Sequence, residues 1–204
     1  MVKMKKILIV LFIVLFPFQS FGMEKIPGKY ELIGDISKAF GKKQVTMVEF
    51  FNFSCGHCYK FLTTSKTLSK KYGDKIIHKK VPIFWGKQTP YPAIAFYLAQ
   101  ENGNVKELTK TMFDYYFKNG APIFDPQVVN MIISEIGITE DIRRQESLFV
   151  KVQDGISLAR KNSANETPTV ILNEVIKVTP TITGGGVEKM TENLDIIIHA
   201  LLSK

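Results

Sequence analysis

The chain has 204 residues, 45% of them hydrophobic, a formal charge of +8 and only two cysteines. That length suits one globular domain, or one domain with a large insertion, and can bury an adequate core. The lysines are dispersed rather than gathered into a stripe with interleaved aromatics, which argues against nucleic acid as a partner, and no repeat or low-complexity linker interrupts the chain.

Residues 1–22 read as a secretory signal. Lys3, Lys5 and Lys6 precede the apolar stretch Ile7–Phe16, and Ser20-Phe21-Gly22 resembles a small-x-small cleavage site. The stretch is short for a spanning helix of about 20 residues, and with no cysteine near it lipid attachment there is excluded; an uncleaved anchor is the alternative. Cleavage would begin the mature chain at Met23 and lower its charge from +8 to +5. Export also bears on the cysteines, because disulfides form and persist outside the cytosol.

In Val45–Phe53, the residues Val45, Met47, Phe51 and Phe53 alternate with Val48 and Phe50, the pattern of a central strand covered on both faces. Tyr59, Phe61, Leu62, Leu68 and Tyr72 then recur at near-helical spacing up to Gly73, a C-cap candidate. Lys75–Ile83 reads as a second strand, completing a βαβ unit with a right-handed crossover.

From Phe84 to about Ala164 the signals are helical. Pro92 opens one segment, Asn104-x-x-Glu107 resembles a capping box for the next, and Asp125-Pro126 opens a third. Gly120 and Gly137 are C-cap candidates, and Thr139 is expected to start a fourth, longer helix with Ile142, Phe149, Val152, Ile156 and Ala159 along one side. Met112, Phe113, Tyr115, Tyr116 and Phe117 are expected to form helical core rather than a groove, and Trp85 to be a packing residue. Strand character returns at Thr169–Leu172 and Val175–Val178, Gly184–Gly186 breaks the chain, and Val187–Leu202 is a final amphipathic helix. The order implies an α/β sheet interrupted by an all-helical insertion.

The two cysteines, Cys55 and Cys58, sit where the first strand should turn into a helix. Positions three apart share a helix face, so the sulfurs can meet, and the helix N-terminus favours a thiolate at the first. Taken alone, the pair also permits a structural bridge or half a zinc site. So small a loop removes little unfolded-state entropy, and four-coordinate zinc needs two more ligands from three histidines and scattered carboxylates.

With its flank Glu49-Phe50-Phe51-Asn52-Phe53-Ser54-Cys55-Gly56-His57-Cys58-Tyr59, the downstream Thr167-Pro168, the placement of the insertion and the leader, the chain resembles the DsbA-type thiol:disulfide oxidoreductases. The resemblance covers essentially all of the mature chain. It implies a thioredoxin fold, a central mixed sheet flanked by helices, formed by residues 23–83 and 152–204, with 84–151 as the helical insertion. It further implies that Cys55 is the exposed nucleophile that forms mixed disulfides and Cys58 the buried partner that resolves them. His57 would donate a hydrogen bond or positive charge to the Cys55 thiolate. Thr167 and Pro168 would form the cis-proline loop that holds an extended substrate like an added strand.

Glu49 resembles the buried acid beneath such sites. Burial should raise its pKa and make it a proton acceptor for Cys58; the alternative is an acid neutralised by a neighbouring lysine. His78 and Lys80 share a face of the next strand, His78 being read as a surface histidine. Three departures from the best-known members bear on redox tuning: Gly56-His57 replaces Pro-His, Thr167 replaces Val, and Leu62 replaces an acid.

The implied activity is donation of the Cys55–Cys58 disulfide to folding secreted proteins in the periplasm. No cofactor beyond that disulfide and no metal is expected. The implied partners are reduced or unfolded exported proteins and a membrane reoxidant of the DsbB type. An isomerase or reductase is the alternative, as is a chaperone-like binder of unfolded chains. Since only Met23–Gln44 precede the first clearly patterned strand, there is little room for an added dimerisation domain, and a monomer is expected.

Overall fold

The computed structural model describes residues 25–203, so the signal segment read at 1–22 lies outside the described residues. Five strands form one mixed sheet: β1 (Glu31–Leu32), β2 (Val45–Phe51), β3 (Ile76–Pro82), β4 (Thr169–Leu172) and β5 (Ile176–Val178), in spatial order β1-β5-β4-β2-β3. β2 runs parallel to β3, with Glu49 opposite Lys80, and antiparallel to β4, with Phe50 opposite Thr169. β2 and β3 are joined by α1 (Gly56–Tyr72), as the βαβ reading requires. Gly73, at φ +55, ends that helix.

Between β3 and β4 lie α2 (Tyr91–Glu101), α3 (Val105–Asn119), α4 (Pro126–Glu135) and α5 (Glu146–Lys161), the inserted helices. The chain closes with α6 (Pro180–Thr183) and α7 (Val187–Leu202). Among the described residues no helix is long and apolar enough to cross a membrane.

The alternation along β2 distributes the core. Met47 packs with Phe61 and Leu68 of α1 and with Leu194 and Ile198 of α7. Phe51, four residues on and on the same face, joins Phe53, Cys58, Phe96, Met112 and Phe113, so the inserted helices close over one end of the sheet. Phe50 points the other way, against Val81, Ile171 and Ala159. Helix α5 serves both layers: Leu148 and Val152 enter the helical core, and Ala159 enters the layer behind the sheet. A boundary between 151 and 152 therefore falls inside a continuous helix. A Cβ placed on Gly155 would lie 2.9 Å from Val81 Cγ1, so the helix seats on β3 only because that position carries no side chain.

Two sequence readings are corrected. The helix expected from Thr139 is a 3-10 turn, Ile142–Arg144, followed by α5 from Glu146. Asn130 of α4 causes the break: its Oδ1 accepts from the Ile142 backbone N–H at 2.9 Å, and its Nδ2 donates to Asp141 Oδ1 at 3.0 Å. Helical phase is lost there, so Leu148 turns inward and Phe149 is 42% exposed. Asn104 makes no side-chain cap; its Nδ2 donates instead to the Ile136 carbonyl at 3.0 Å. Asp125, in contrast, does cap α4, accepting from the Gln127 N–H at 2.7 Å. Strand β1 lies within Met23–Gln44, ahead of the first strand that the sequence pattern marks. Two residues carry no periodicity, and its pairing with β5 is reinforced by Lys177 Nζ, 2.7 Å from Glu31 Oε2.

Candidate active site

At the end of β2 the chain must turn sharply into α1, and buried Asn52 organises that turn. Its Nδ2 donates to the Ile83 carbonyl at 2.9 Å and to Gln88 Oε1 at 2.7 Å. Its Oδ1 accepts from the Ser54 backbone N–H at 2.8 Å and from the Ser54 hydroxyl at 2.6 Å. Gln88 closes the ring by donating from Nε2 to Ser54 Oγ at 2.8 Å. The Cys55 N–H donates to the Asn52 carbonyl at 3.1 Å, and Cys55 takes the N-cap position of α1 with extended backbone (φ −90, ψ 116). None of Asn52, Ser54 and Gln88 was singled out from the sequence. The available signal was an amide between Phe51 and Phe53, a polar group that burial obliges to find partners.

Both cysteines are free thiols, Cys55 partly exposed and Cys58 only 1% exposed. The Cys55 pKa is lowered from 9.0 to about 5, chiefly by a hydrogen bond from the Cys58 thiol. Partial burial opposes that shift, while the Thr167 hydroxyl and the backbone N–H groups of Cys58 and His57 add to it. Cys58 moves the other way, well above the usual thiol range, because it is buried, hydrogen-bonded to Cys55 and repelled by the charges of Cys55 and Glu49. One sulfur is thus poised as a nucleophile and the other is held protonated behind it.

Thr167 and Pro168 face this pair across the fold. The Thr167–Pro168 peptide bond is cis, and the Cys55 thiol donates to the Thr167 carbonyl at 3.1 Å. The loop is anchored by the Thr169 hydroxyl, which donates to the Glu166 carbonyl at 2.7 Å. His57 lies beside the sulfur through its backbone N–H; its side chain is exposed.

Glu49 departs from expectation. Burial pushes its pKa up, but the Lys80 charge and the hydrogen bond and charge of His78 outweigh it, and the pKa falls to about 2. Its Oε2 lies 2.7 Å from His78 Nε2 and 3.0 Å from Lys80 Nζ, so the acid is an ionised member of a buried cluster. His78 is partly buried rather than a fully solvated surface histidine, its side chain 16% exposed. Lys80 also sits 5.6 Å from the centroid of the Phe51 ring.

On the insertion side, Tyr59 of α1 donates its hydroxyl to Asp114 Oδ1 at 2.7 Å and stacks on Phe117 with centroids 5.0 Å apart. The aromatic run of α3 divides: Met112 and Phe113 are core, as expected, whereas Phe117 is 36% exposed beside Gly56. Leu62, at the position of the replaced acid, packs on the helical core. Trp85 is not packed inside; it is 41% exposed and lines a cleft of about 490 Å³ with Phe84, Ile156 and Arg160. Among the described residues no group of three or more His, Cys, Asp or Glu is arranged to hold a metal ion.

Comparisons with known proteins agree with this geometry. The thiol:disulfide interchange protein DsbA of Burkholderia cepacia is 24% identical over 173 residues, covering 83% of this chain and 80% of that protein. The crystal structure of Pseudomonas aeruginosa DsbA superposes with a TM-score of 0.71 at 18% identity, covering 84% of this chain and 91% of that one. Klebsiella pneumoniae DsbA gives 0.68 at 18% identity, with 89% and 98% covered. At these identities the superpositions establish the fold. The model of the DSBA-like thioredoxin domain matches residues 46–191, from β2 through the insertion into α7, and the chain belongs to that family.

Proposed function

We propose that the chain is an exported thiol:disulfide oxidoreductase that donates a Cys55–Cys58 disulfide to folding secreted proteins in the periplasm. The observation that carries this reading is the contrast between the sulfurs: an accessible Cys55 with its pKa near 5 beside a buried Cys58 held protonated. Stabilising the dithiol form by a low thiolate pKa makes the disulfide the stronger oxidant, which favours donation over isomerisation.

In the proposed cycle a client thiolate attacks Cys55 Sγ of the disulfide form, the bond to Cys58 breaks, and Cys58 leaves as a thiolate that takes up a proton. A second client thiolate then attacks the client sulfur of the mixed disulfide and releases Cys55 as its stabilised thiolate. Two electrons pass from client to enzyme. A two-electron acceptor, in this reading a membrane partner of the DsbB type, restores the bond. Thr167 and Pro168 hold the client backbone beside Cys55, the His57 N–H supports the thiolate, and Glu49 takes part in moving the Cys58 proton. The protein's own disulfide serves as the redox group, and it works as a monomer.

The test is oxidation of a reduced, unfolded secreted protein by the purified disulfide form. Cys55→Ser is expected to abolish disulfide formation, and Cys58→Ser, offered the same protein in its disulfide form, is expected to accumulate a mixed disulfide at Cys55. Undiminished oxidation by Cys55→Ser overturns the proposal.

A further inference from the structure

Cys58 is 1% exposed and its proton must come and go in every cycle, yet the sulfur has no solvent face of its own. Glu49 lies on the same β2 face, between Met47, which packs with Phe61 of α1, and Phe51, which packs with Cys58. The carboxylate therefore sits beneath the first turns of α1, and its charge acts on the Cys58 sulfur. It too is 1% exposed. The path outward continues through its partners on β3, both bound to Oε2.

We propose that His78 is the solvent port for the Cys58 proton, a positioning residue that acts on the sulfur through Glu49. The inference rests on the oxidoreductase reading above. When Cys58 leaves as a thiolate, the ionised Glu49 takes a proton from His78 Nε2 and passes it on to Cys58 Sγ. The products are a Cys58 thiol, an ionised Glu49 and a neutral imidazole, which regains its proton from solvent. Reoxidation runs the same transfers backward. Among the described residues, the charged groups at this position are Glu49 from β2, which His78 contacts, and Lys80 from β3, which shares the same carboxylate oxygen; Cys58 of α1 is reached through Glu49. Lys80 is the less suitable carrier, because its Nζ lies 3.0 Å from Glu49 Oε2 whereas His78 Nε2 lies at 2.7 Å. It is also held by the Phe51 ring, 5.6 Å from its centroid.

The experiment mixes the disulfide form of the full chain with a reduced two-cysteine peptide and follows mixed-disulfide formation and decay from pH 6 to 9. His78→Ala and His78→Gln are each expected to slow turnover about tenfold or more, the lower range of proton-transfer catalysis, and to flatten the pH profile. Added imidazole is expected to recover most of the His78→Ala loss, and thiolate absorbance is expected to place the Cys55 titration where wild type has it. His78→Gln keeps a donor toward Glu49, so a well-folded but slow variant isolates the missing proton exchange. An unchanged rate and pH profile in either folded variant, or a loss in His78→Ala that imidazole leaves untouched, overturns the proposal. Failure of the wild-type protein to oxidise the peptide would instead refute the oxidoreductase reading itself.

Discussion

Thr167 meets the Cys55 sulfur with two groups of opposite demand: its carbonyl accepts the thiol proton at 3.1 Å, and its hydroxyl donates to the thiolate. The first stabilises the neutral sulfur and the second the charged one. A residue nearly isosteric with valine thus lowers the Cys55 pKa through a single oxygen.

Thr167→Val should raise the Cys55 pKa by up to about one unit, since a hydrogen bond to a charged group contributes about 1.5 kcal/mol and one unit corresponds to about 1.4 kcal/mol. The carbonyl contact survives. Thiolate absorbance measured against pH reads the shift directly, and an unmoved titration would remove the hydroxyl from the account.

The largest influence on Cys55 is the Cys58 thiol. Cys58→Ala removes that donor and should move the Cys55 titration upward. Cys58→Ser keeps a hydroxyl donor at the same place and should leave the titration nearer the wild-type value. Equal titrations in the two variants would show that burial and the helix terminus, rather than the neighbouring thiol, hold the thiolate.

Glu49 is the buried acid whose loss should be felt most in stability. Glu49→Gln leaves His78 and Lys80 facing a neutral amide, and breaking such a pair costs about 3 kcal/mol, readable by urea unfolding at pH 7. Its pKa is depressed from 4.5 to about 2, so its contribution is complete above pH 4.5 and is lost as pH falls through about 2. The dithiol protein carries a second window. With the Cys55 pKa lowered from 9.0 to about 5, the stabilisation from its thiolate is complete above pH 9 and lost as pH falls through about 5. Wild type should therefore lose stability relative to Cys55→Ala between pH 9 and pH 5. A constant difference would contradict the linkage.

Gly56 is the first residue of α1, and its N–H is not among the donors to Cys55. A Cβ there would lie 3.8 Å from Phe117 Cε1, an ordinary contact. Gly56→Pro should therefore fold, gain about 0.5–1 kcal/mol from a less flexible unfolded chain, and leave the Cys55 titration in place. Thermal unfolding and thiolate absorbance check the two halves of that expectation separately.

The sheet, the insertion and the cysteine pair were legible because each rests on a local pattern: alternation in β2, caps at Asp125 and Gly73, and the spacing of Cys55 and Cys58. What escaped was set by contacts distant in sequence. Asn130 reaching Ile142 breaks a helix whose apolar period otherwise continues, and no feature near Thr139 reveals it. The Glu49 pKa was misread because burial could be inferred from β2 alone, whereas its partners come from β3 through the parallel register. His78 and Lys80 share a face in the sequence pattern, but the sense of the shift depends on how close they come. Asn52 and Gln88, 36 residues apart, meet only because two loops converge at the same end of the sheet.

Helix α5 has one end in the helical core and the other behind the sheet, with Gly155 pressed onto Val81 between them. It works as a strut. A bending motion that opened the insertion away from Cys55 would have to break this helix or lift it off β3, so the two parts of the molecule are coupled mechanically. Variation in shape near Cys55 is then left to side chains at the rim, such as Phe117, rather than to separation of the two layers.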